Sequence, residues 1–193
     1  AAMRAQRPGH LVPAIGGVAE ALPLDDQSVD ASMAIVTVHQ WSDHRKGLAE
    51  LVRVTRGPII VLTFDGDALD RFWLAEYVPE LIAAERRRYP AIGAIAAVLG
   101  GAVTVRGVPI PIDCVDGFTE AFYARPERFV DPAVRRSQSA WGFVSDEVQE
   151  RFVRELRADL DSGAWRERHG CLLEQPVFEG SLRLIVSNDR ARP

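Results

Sequence analysis

Residues 30–41 read Asp-Ala-Ser-Met-Ala-Ile-Val-Thr-Val-His-Gln-Trp, and residues 42–58 continue Ser-Asp-His-Arg-Lys-Gly-Leu-Ala-Glu-Leu-Val-Arg-Val-Thr-Arg-Gly-Pro before a second apolar run, Ile59 to Phe64. Ser32 to Val38 is short, almost wholly apolar and rich in β-branched residues. Such a run predicts a strand buried on both faces, the habit of parallel sheets. Ser42-Asp43 then predicts a helix cap, with Leu48, Leu51, Val52 and Val54 on the buried side. Gly57-Pro58 ends that connection, and Ile59 to Phe64 predicts a second buried strand. Strand, helix and strand at this length make one βαβ unit with a right-handed crossover.

Upstream, Ala1 to Gln6 is compatible with a helix that stops at the Pro8-Gly9 turn signal. Leu11 to Ile15 predicts a short strand, with Pro13 favouring a sheet edge, and Gly16-Gly17 breaks it. Downstream, Leu69, Phe72 and Trp73 share a helical face, and Pro79 kinks or restarts the helix because it lacks an amide donor. Ile92 to Leu99 continues helical until Gly100-Gly101, Val103 to Val105 predicts another strand, and Gly107 to Pro111 a stiff connection. Phe118 to Arg168 reads as helical. Pro126 and Pro132 suit first-turn positions, Pro132 behind the cap Asp131. Ser145 caps the clearest helix, with Phe152, Val153, Leu156 and Leu160 on one face and Ser162-Gly163 closing it. Leu182, Leu184 and Val186 alternate with Arg183, Ile185 and Ser187, the pattern of a final half-exposed strand. The pattern predicts a single α/β domain over residues 1–193, with a helical cap over residues 116–170 inserted between the last two strands.

The totals bound the function. The chain has 193 residues, enough for one domain with a real core and too few for two comfortable ones. Its net charge is −4 and its pI about 5.6. Lys46 is the only lysine, and no basic stripe forms, so nucleic acid is not expected as the main partner. Arg86-Arg87-Arg88, the densest basic run, reads as a solvated helix face. Cys114 and Cys171 lie far apart and fit no metal or redox spacing; they read as two reduced thiols of a cytoplasmic protein. No apolar stretch is long enough to span a bilayer, and residues 1–9 lack the apolar core of a signal peptide. No Gly-x-Ser-x-Gly is present to support a hydrolase.

One further stretch joins the opening one. Ala19-Glu20-Ala21-Leu22-Pro23 is followed by Ser28-Val29-Asp30, a strand ending near His39-Gln40-Trp41, and Arg53-Val54-Thr55-Arg56-Gly57-Pro58. Four pieces in this order resemble class I S-adenosylmethionine (SAM) dependent methyltransferases, in particular the methyltransferase type 11 group related to quinone-biosynthesis C-methyltransferases. The last piece is a degraded match to that group's arginine-valine-leucine-lysine-proline-glycine-glycine. The match covers Ala1 to Asp65 well and only the architecture thereafter. The resemblance implies a Rossmann-like sheet in the order 3-2-1-4-5-7-6, with S-adenosyl-L-methionine lying across the carboxyl ends of strands 1 to 4. It implies that Val18 and Ala19 border the adenine ring. Val18 stands where many relatives have an accepting Asp, so that contact would fall to the backbone around Ala19 and Glu20. Val38 and His39 would lie by the methionine portion and the transferred methyl.

Two elements of that family do not occur in the sequence: the glycine-rich loop after strand one and the acidic residue ending strand two that grips the ribose. An interior Ser32–Val38 strand needs a neighbour, because a flat apolar edge is an aggregation template. The expectation is therefore an upstream segment of at least one βαβ unit, on the order of 30 residues or more; a domain-swapped partner could supply the same strand.

Methyl transfer from SAM is an in-line displacement at a sulfonium carbon, so the protein must align nucleophile and methyl and exclude water, with no metal needed. His39 is the candidate base, its imidazole titrating near neutrality unless shifted; a structural histidine packed on the cofactor is the other reading. Trp41 could wall the pocket or belong to strand–helix packing. Asp113, Asp116, Phe118, Tyr123 and Trp141 fall where the cap begins; aromatics with carboxylates suit a small organic acceptor, basic or heterocyclic, while core packing and turn anchoring account for the same residues. The expected partner is a small-molecule acceptor, not nucleic acid or membrane, with a homodimer left open. The competing function is a non-enzymatic binding or oligomerisation module on the same fold that has lost SAM binding, which Val18 and the degraded 53–58 stretch favour.

Overall fold

The computed structural model describes residues 6–188. In chain order the regular elements are β1 Ser32–Ile35, α1 His44–Val54, β2 Ile59–Phe64, α2 Leu74–Tyr77, α3 Pro79–Arg88, α4 Ile92–Leu99, β3 Ala102–Gly107, β4 Ile110–Pro111, α5 Pro132–Arg136, α6 Asp146–Ser162, α7 Ala164–His169, β5 Val177–Phe178 and β6 Leu182–Asn188. Short 3-10 turns join them, among them Val38–Gln40, Gly66–Arg71, Thr119–Phe122 and Ser139–Phe143. The helix expected over Ala1 to Gln6 lies, but for Gln6, outside the described residues. Leu11 to Ile15, expected as a strand, has no strand partner among the described residues and is exposed.

The four longer strands form one sheet in the order β1-β2-β6-β3. β1 and β2 run parallel, as the βαβ reading requires, while β6 is antiparallel to both β2 and β3. The sheet therefore mixes parallel and antiparallel pairs with helices packed against it, the Rossmann-like α/β class expected. β4 and β5 pair separately, through Ile110 with Phe178 and Pro111 with Val177. This short ladder closes the neck of the helical segments that lie between them.

Local chemistry explains the helix ends. Asp43 caps α1, its carboxylate accepting the Lys46 N–H at 2.9 Å. Ser42, the other expected cap, is instead held by Glu20. Ser145 accepts the Val148 N–H to open α6, and Gly163 closes it in the left-handed region at φ 85°. Asp131 caps α5 ahead of Pro132. Pro79 separates α2 from α3 and starts the latter, where its missing N–H costs nothing.

Two cores result. Leu48 and Leu51 of α1 and Ile95 and Leu99 of α4 pack with Ala34, Ile59, Val61 and Ile185 of the sheet. The larger core is aromatic and lies among the helices: Phe72, Trp73, Tyr77, Phe129, Trp141, Phe152 and Trp165. Its rings meet mainly edge-to-face or tilted, as their quadrupoles favour.

The expectation for β1 is corrected, and β6 shows which of its alternating sets faces inward. β1 was expected to be buried on both faces, but it is the border strand among the described residues. Met33 is 67% and Ile35 49% exposed, because no described strand lies beyond β1 and no described helix covers that face. β1 also ends at Ile35 and not Val38. Val36 adopts φ 47°, a conformation a β-branched residue rarely takes, which breaks the strand. In β6 the alternation is present but its inward set is Ile185 and Ser187, both fully buried, while Leu184 and Val186 are only half-buried. Ile185 faces α1 and α4, and the Ser187 hydroxyl donates to the Gly100 carbonyl at 2.7 Å, which lets a polar side chain occupy the buried face.

Candidate functional site

The carboxyl ends of β1 and β2 open toward a cavity of about 300 Å³. Val36, His39 and Gln40 border it from the exit of β1, Phe64 from the end of β2, and Leu81, Ile82, Glu85 and Tyr89 from α3 and its end. Asp116 to Glu120 and Ser137 to Ala140 close it from the helical side, and Ser181 from the entry to β6. Open α/β sheets bind ligands at this end of their strands. The wall is mostly apolar with a few convergent polar groups, the composition of a small-molecule site.

The left-handed turn at Val36 redirects the chain so that the next 3-10 turn carries His39 into this wall. Its ring meets Tyr89 edge-on, centroids 5.0 Å apart at 64°. Phe64 touches both Tyr89 at 5.4 Å and Phe118 at 5.5 Å, so three aromatic rings line one side. The His39 Nδ1 is buried and has no hydrogen-bond partner among the described residues. Burial, with Arg88 and His44 nearby, lowers its pKa to about 4. The imidazole is thus neutral in the physiological range. Unfolded, it would protonate from about 6.5 downward, so its contribution to stability is present above that value and lost as pH falls toward the folded pKa. In an NMR titration, His39 should remain neutral down to about pH 4; a midpoint at the ordinary histidine value would contradict the buried geometry.

Two carboxylates in the wall are already engaged. Glu85 accepts from the Tyr89 hydroxyl at 2.7 Å and from the Arg88 guanidinium. Burial, helped by Glu85, pushes the Tyr89 phenol well above its ordinary value, so the phenol keeps its proton. Glu120 is fully buried, and both its oxygens accept from Ser181, at 2.9 and 3.0 Å from the N–H and 2.8 Å from the hydroxyl. Burial raises its pKa against the opposing pull of those hydrogen bonds. Asp116 is exposed at the rim and accepts from the Gly117 N–H.

Of the residues singled out from sequence, His39, Asp116 and Phe118 meet in this cavity. Val38, adjacent to His39, is fully buried in the sheet core. Val18 is exposed beside the half-buried Ala19 and Glu20. The Glu20 carboxylate accepts from the N–H and hydroxyl of Ser42, both at 2.8 Å, and from the Asp43 N–H at 3.1 Å. Those hydrogen bonds, that of Asp43 first, lower its pKa to about 2. They fasten the 18–22 segment to the start of α1, at the same end of the sheet as His39. Arg53 fastens residues 22–26, donating to the carbonyls of Leu22 and Leu24 and to the Asp26 carboxylate, while Glu50 holds the same guanidinium in place.

The other named residues lie elsewhere. Trp41 packs on Gly47 of α1, where a Cβ would fall 2.5 Å from its ring. Asp113 is exposed outside the cavity. Tyr123 is fully buried, stacks on Phe178 at 5.1 Å and donates its hydroxyl to the Gln175 carbonyl at 2.7 Å. Trp141 is buried against Phe152 and Phe129. Glu85, Tyr89, Glu120 and Gln138 were not anticipated. The Glu85–Tyr89 spacing, one helical turn ending before Pro90, was the available signal for the first two. Arg88, read as solvated, turns inward to Glu85, its side chain only 17% exposed.

Residues 1–58 match a family described as "Methyltransferase domain". Nothing among curated proteins matches the chain. Among solved structures, a protein of Anabaena variabilis ATCC 29413, described as a methyltransferase from an antibiotic biosynthesis pathway, is similar at 29% identity and TM-score 0.89, over 97% of this chain and 78% of its own. A Thermotoga maritima protein described as a SAM-dependent methyltransferase is 15% identical, TM-score 0.45, over 93% of this chain and 64% of its own. The Bacillus YcgJ protein is 19% identical, TM-score 0.43, over 90% of this chain and 70% of its own.

Proposed function

We propose, from the premise that this chain belongs to the class I SAM-dependent methyltransferases, that it transfers the methyl of S-adenosyl-L-methionine to a small organic acceptor held in the cavity beyond β1 and β2. The carrying observation is the coincidence of that cavity, closed by the helical segments, with the strand ends where the family match runs from residue 1 to residue 58.

The residues present fit the methyl-donor end of such a site. His39 has a buried Nδ1 without a partner beside the open border of β1, which asks for a polar ligand atom. The 18–22 segment, held by Glu20, flanks the same strand end, so Val18, Ala19 and the backbone at Glu20 would border the nucleoside. His39 would border the methionine portion, with Val38 packed beneath it in the sheet core. SAM, when bound, supplies a methyl already activated by the sulfonium.

The chain's own residues then have limited work. Phe64, Phe118 and Tyr89 give the acceptor an aromatic wall and exclude water, which holds the nucleophile in line. Neutral His39 is a weak base; its role is to accept a hydrogen bond from the acceptor's nucleophilic group through Nδ1, orienting it and taking its proton as the methyl bond forms. Titration calorimetry of the full-length protein with S-adenosylhomocysteine tests the reading. Saturable heat is expected. Its absence would leave the non-enzymatic module, which Val18 in place of an accepting carboxylate favours.

A further inference from the structure

We propose that Gln138 sets the chemistry of the acceptor: its Nε2 donates a hydrogen bond to a carbonyl-type oxygen or an unprotonated ring nitrogen on an uncharged, planar molecule seated in the cavity. This rests on the reading of the cavity as the acceptor chamber.

Gln138 lies just ahead of the Ser139–Phe143 turn and lines the cavity, though only 7% exposed. Its amide is oriented. The Thr119 hydroxyl donates to Oε1 at 3.0 Å, which commits that oxygen and turns Nε2 away from Thr119. Nε2 is buried and has no partner among the described residues. A buried donor left unpaired is costly, and in a site it is a group waiting for a ligand. Thr119 and Gln138 come from opposite ends of the 3-10 and helical stretch between β4 and α6, so the folding of that stretch presets the donor's direction.

Charge narrows the partner. Among the described residues no Lys or Arg lines the cavity, whereas Glu85, Asp116 and Glu120 do, so an anionic acceptor would find no cationic partner in the lining. A cation gains little in exchange. Glu85 is paired with Arg88 and hydrogen-bonded by Tyr89, Glu120 commits its lone pairs to Ser181, and Asp116 sits at the rim in solvent. An uncharged body remains. The rings of Phe64, Phe118 and Tyr89, tilted 57° and 48° against one another, suit an aromatic body that meets them by face or edge. The oxygen or nitrogen that takes the Gln138 hydrogen bond completes it, a pairing by which buried polar sites reject analogues lacking the group.

Ligand-observed and amide-shift NMR titrations of the full-length protein test this with four probes of similar size: acetophenone (acceptor only), ethylbenzene (neither), benzoate (anion) and benzylamine (cationic donor). Acetophenone should bind about tenfold more tightly than ethylbenzene, the worth of one buried hydrogen bond, with benzoate and benzylamine weakest. Gln138→Met should bring that ratio to about one without weakening ethylbenzene. Gln138→Glu, which keeps the Thr119 contact but replaces the donor by an acceptor, should do the same and guards against a misfolded Met variant. A wild-type ratio near one, or benzoate or benzylamine as the tightest probe, overturns the proposal. Heat with S-adenosylhomocysteine alongside that failure would sink this assignment alone; no such heat would sink the enzyme reading, while the probe ratio still reports on Gln138.

Discussion

Glu120→Ala should lower the free energy of unfolding by about 3 kcal/mol, the range for removing one member of a buried, charge-assisted hydrogen-bond set. Glu120 joins the first turn after β4 to Ser181, the residue before β6. Its carboxylate is the acceptor for both the Ser181 N–H and its hydroxyl. Alanine would strand two buried donors and leave a void where the carboxylate stood. The fold is arranged around this group: Gly180 has no side chain because a Cβ there would lie 2.6 Å from the Glu120 carboxyl. Against the loss stands one gain, since a carboxylate held in so dry a place suffers desolvation. Glu120→Gln keeps an accepting oxygen and sheds that desolvation, so it should cost less than about 1 kcal/mol at neutral pH. Urea unfolding of the two variants separates hydrogen bonding from charge; equal losses for both would show that the carboxylate's charge, not its hydrogen bonds, stabilises this junction.

The same pair predicts a pH effect. Glu120 is held above its ordinary value of 4.5 by burial. In the fold it therefore takes up a proton that the unfolded chain has already released. Stability from that proton is present below about 4.5 and lost as pH rises through the folded value. Wild type minus Glu120→Gln, measured from pH 4 to pH 8, should show this decline. His39 works in the opposite sense, since acid charges it only at a cost. The two curves are separable because His39→Leu removes one and Glu120→Gln the other.

What the sequence made legible was whatever rests on local patterning. The β1–α1–β2 unit, the cap at Asp43, the restart at Pro79, the Ser145 and Gly163 bounds of α6 and the final strand follow from apolar period, capping chemistry and proline or glycine placement. These are short-range effects that residues within a turn or two decide. His39 reaches the cavity wall from the 3-10 turn Val38–Gln40 that follows β1, a position the resemblance, not the local pattern, implied. The remainder depends on what lies opposite. Nothing near Val36 announces a left-handed turn, because a β-branched residue is the least expected occupant and only the surrounding fold can hold it there. Tyr123 and Trp141 carry the composition of a binding residue, yet their surroundings are other aromatic rings, and sequence alone does not distinguish a ring facing a ligand from a ring facing a ring. Glu120 and Gln138 become notable only when Ser181, 61 positions from Glu120 along the chain, and Thr119 are seen beside them.

Phe152→Ala should cost about 4 kcal/mol and lower the melting midpoint by about 10 °C, in one cooperative transition. Phe152 sits on the buried face of α6 and is fully enclosed. Its ring lies 4.9 Å from Trp141, 6.3 Å from Phe129 and 6.4 Å from Tyr77. The first two belong to the helical stretch between β4 and β5, but Tyr77 belongs to α2, which follows β2 after the Gly66–Arg71 turn. The Trp73 indole makes the same crossing, donating to the Tyr123 carbonyl at 3.0 Å and packing on Phe129 and Trp165. The aromatic core is therefore shared, and the helical insertion has no separate interior to keep if the sheet side loosens. We accordingly expect the cap over residues 116–170 to melt with the rest of a single domain. Calorimetry together with near-UV and far-UV circular dichroism reads this directly. Coincident curves, displaced together by Phe152→Ala, fit one folding unit. A variant that splits the melt into two steps would show the insertion to be a domain of its own, and the cavity to lie between two bodies that can move apart.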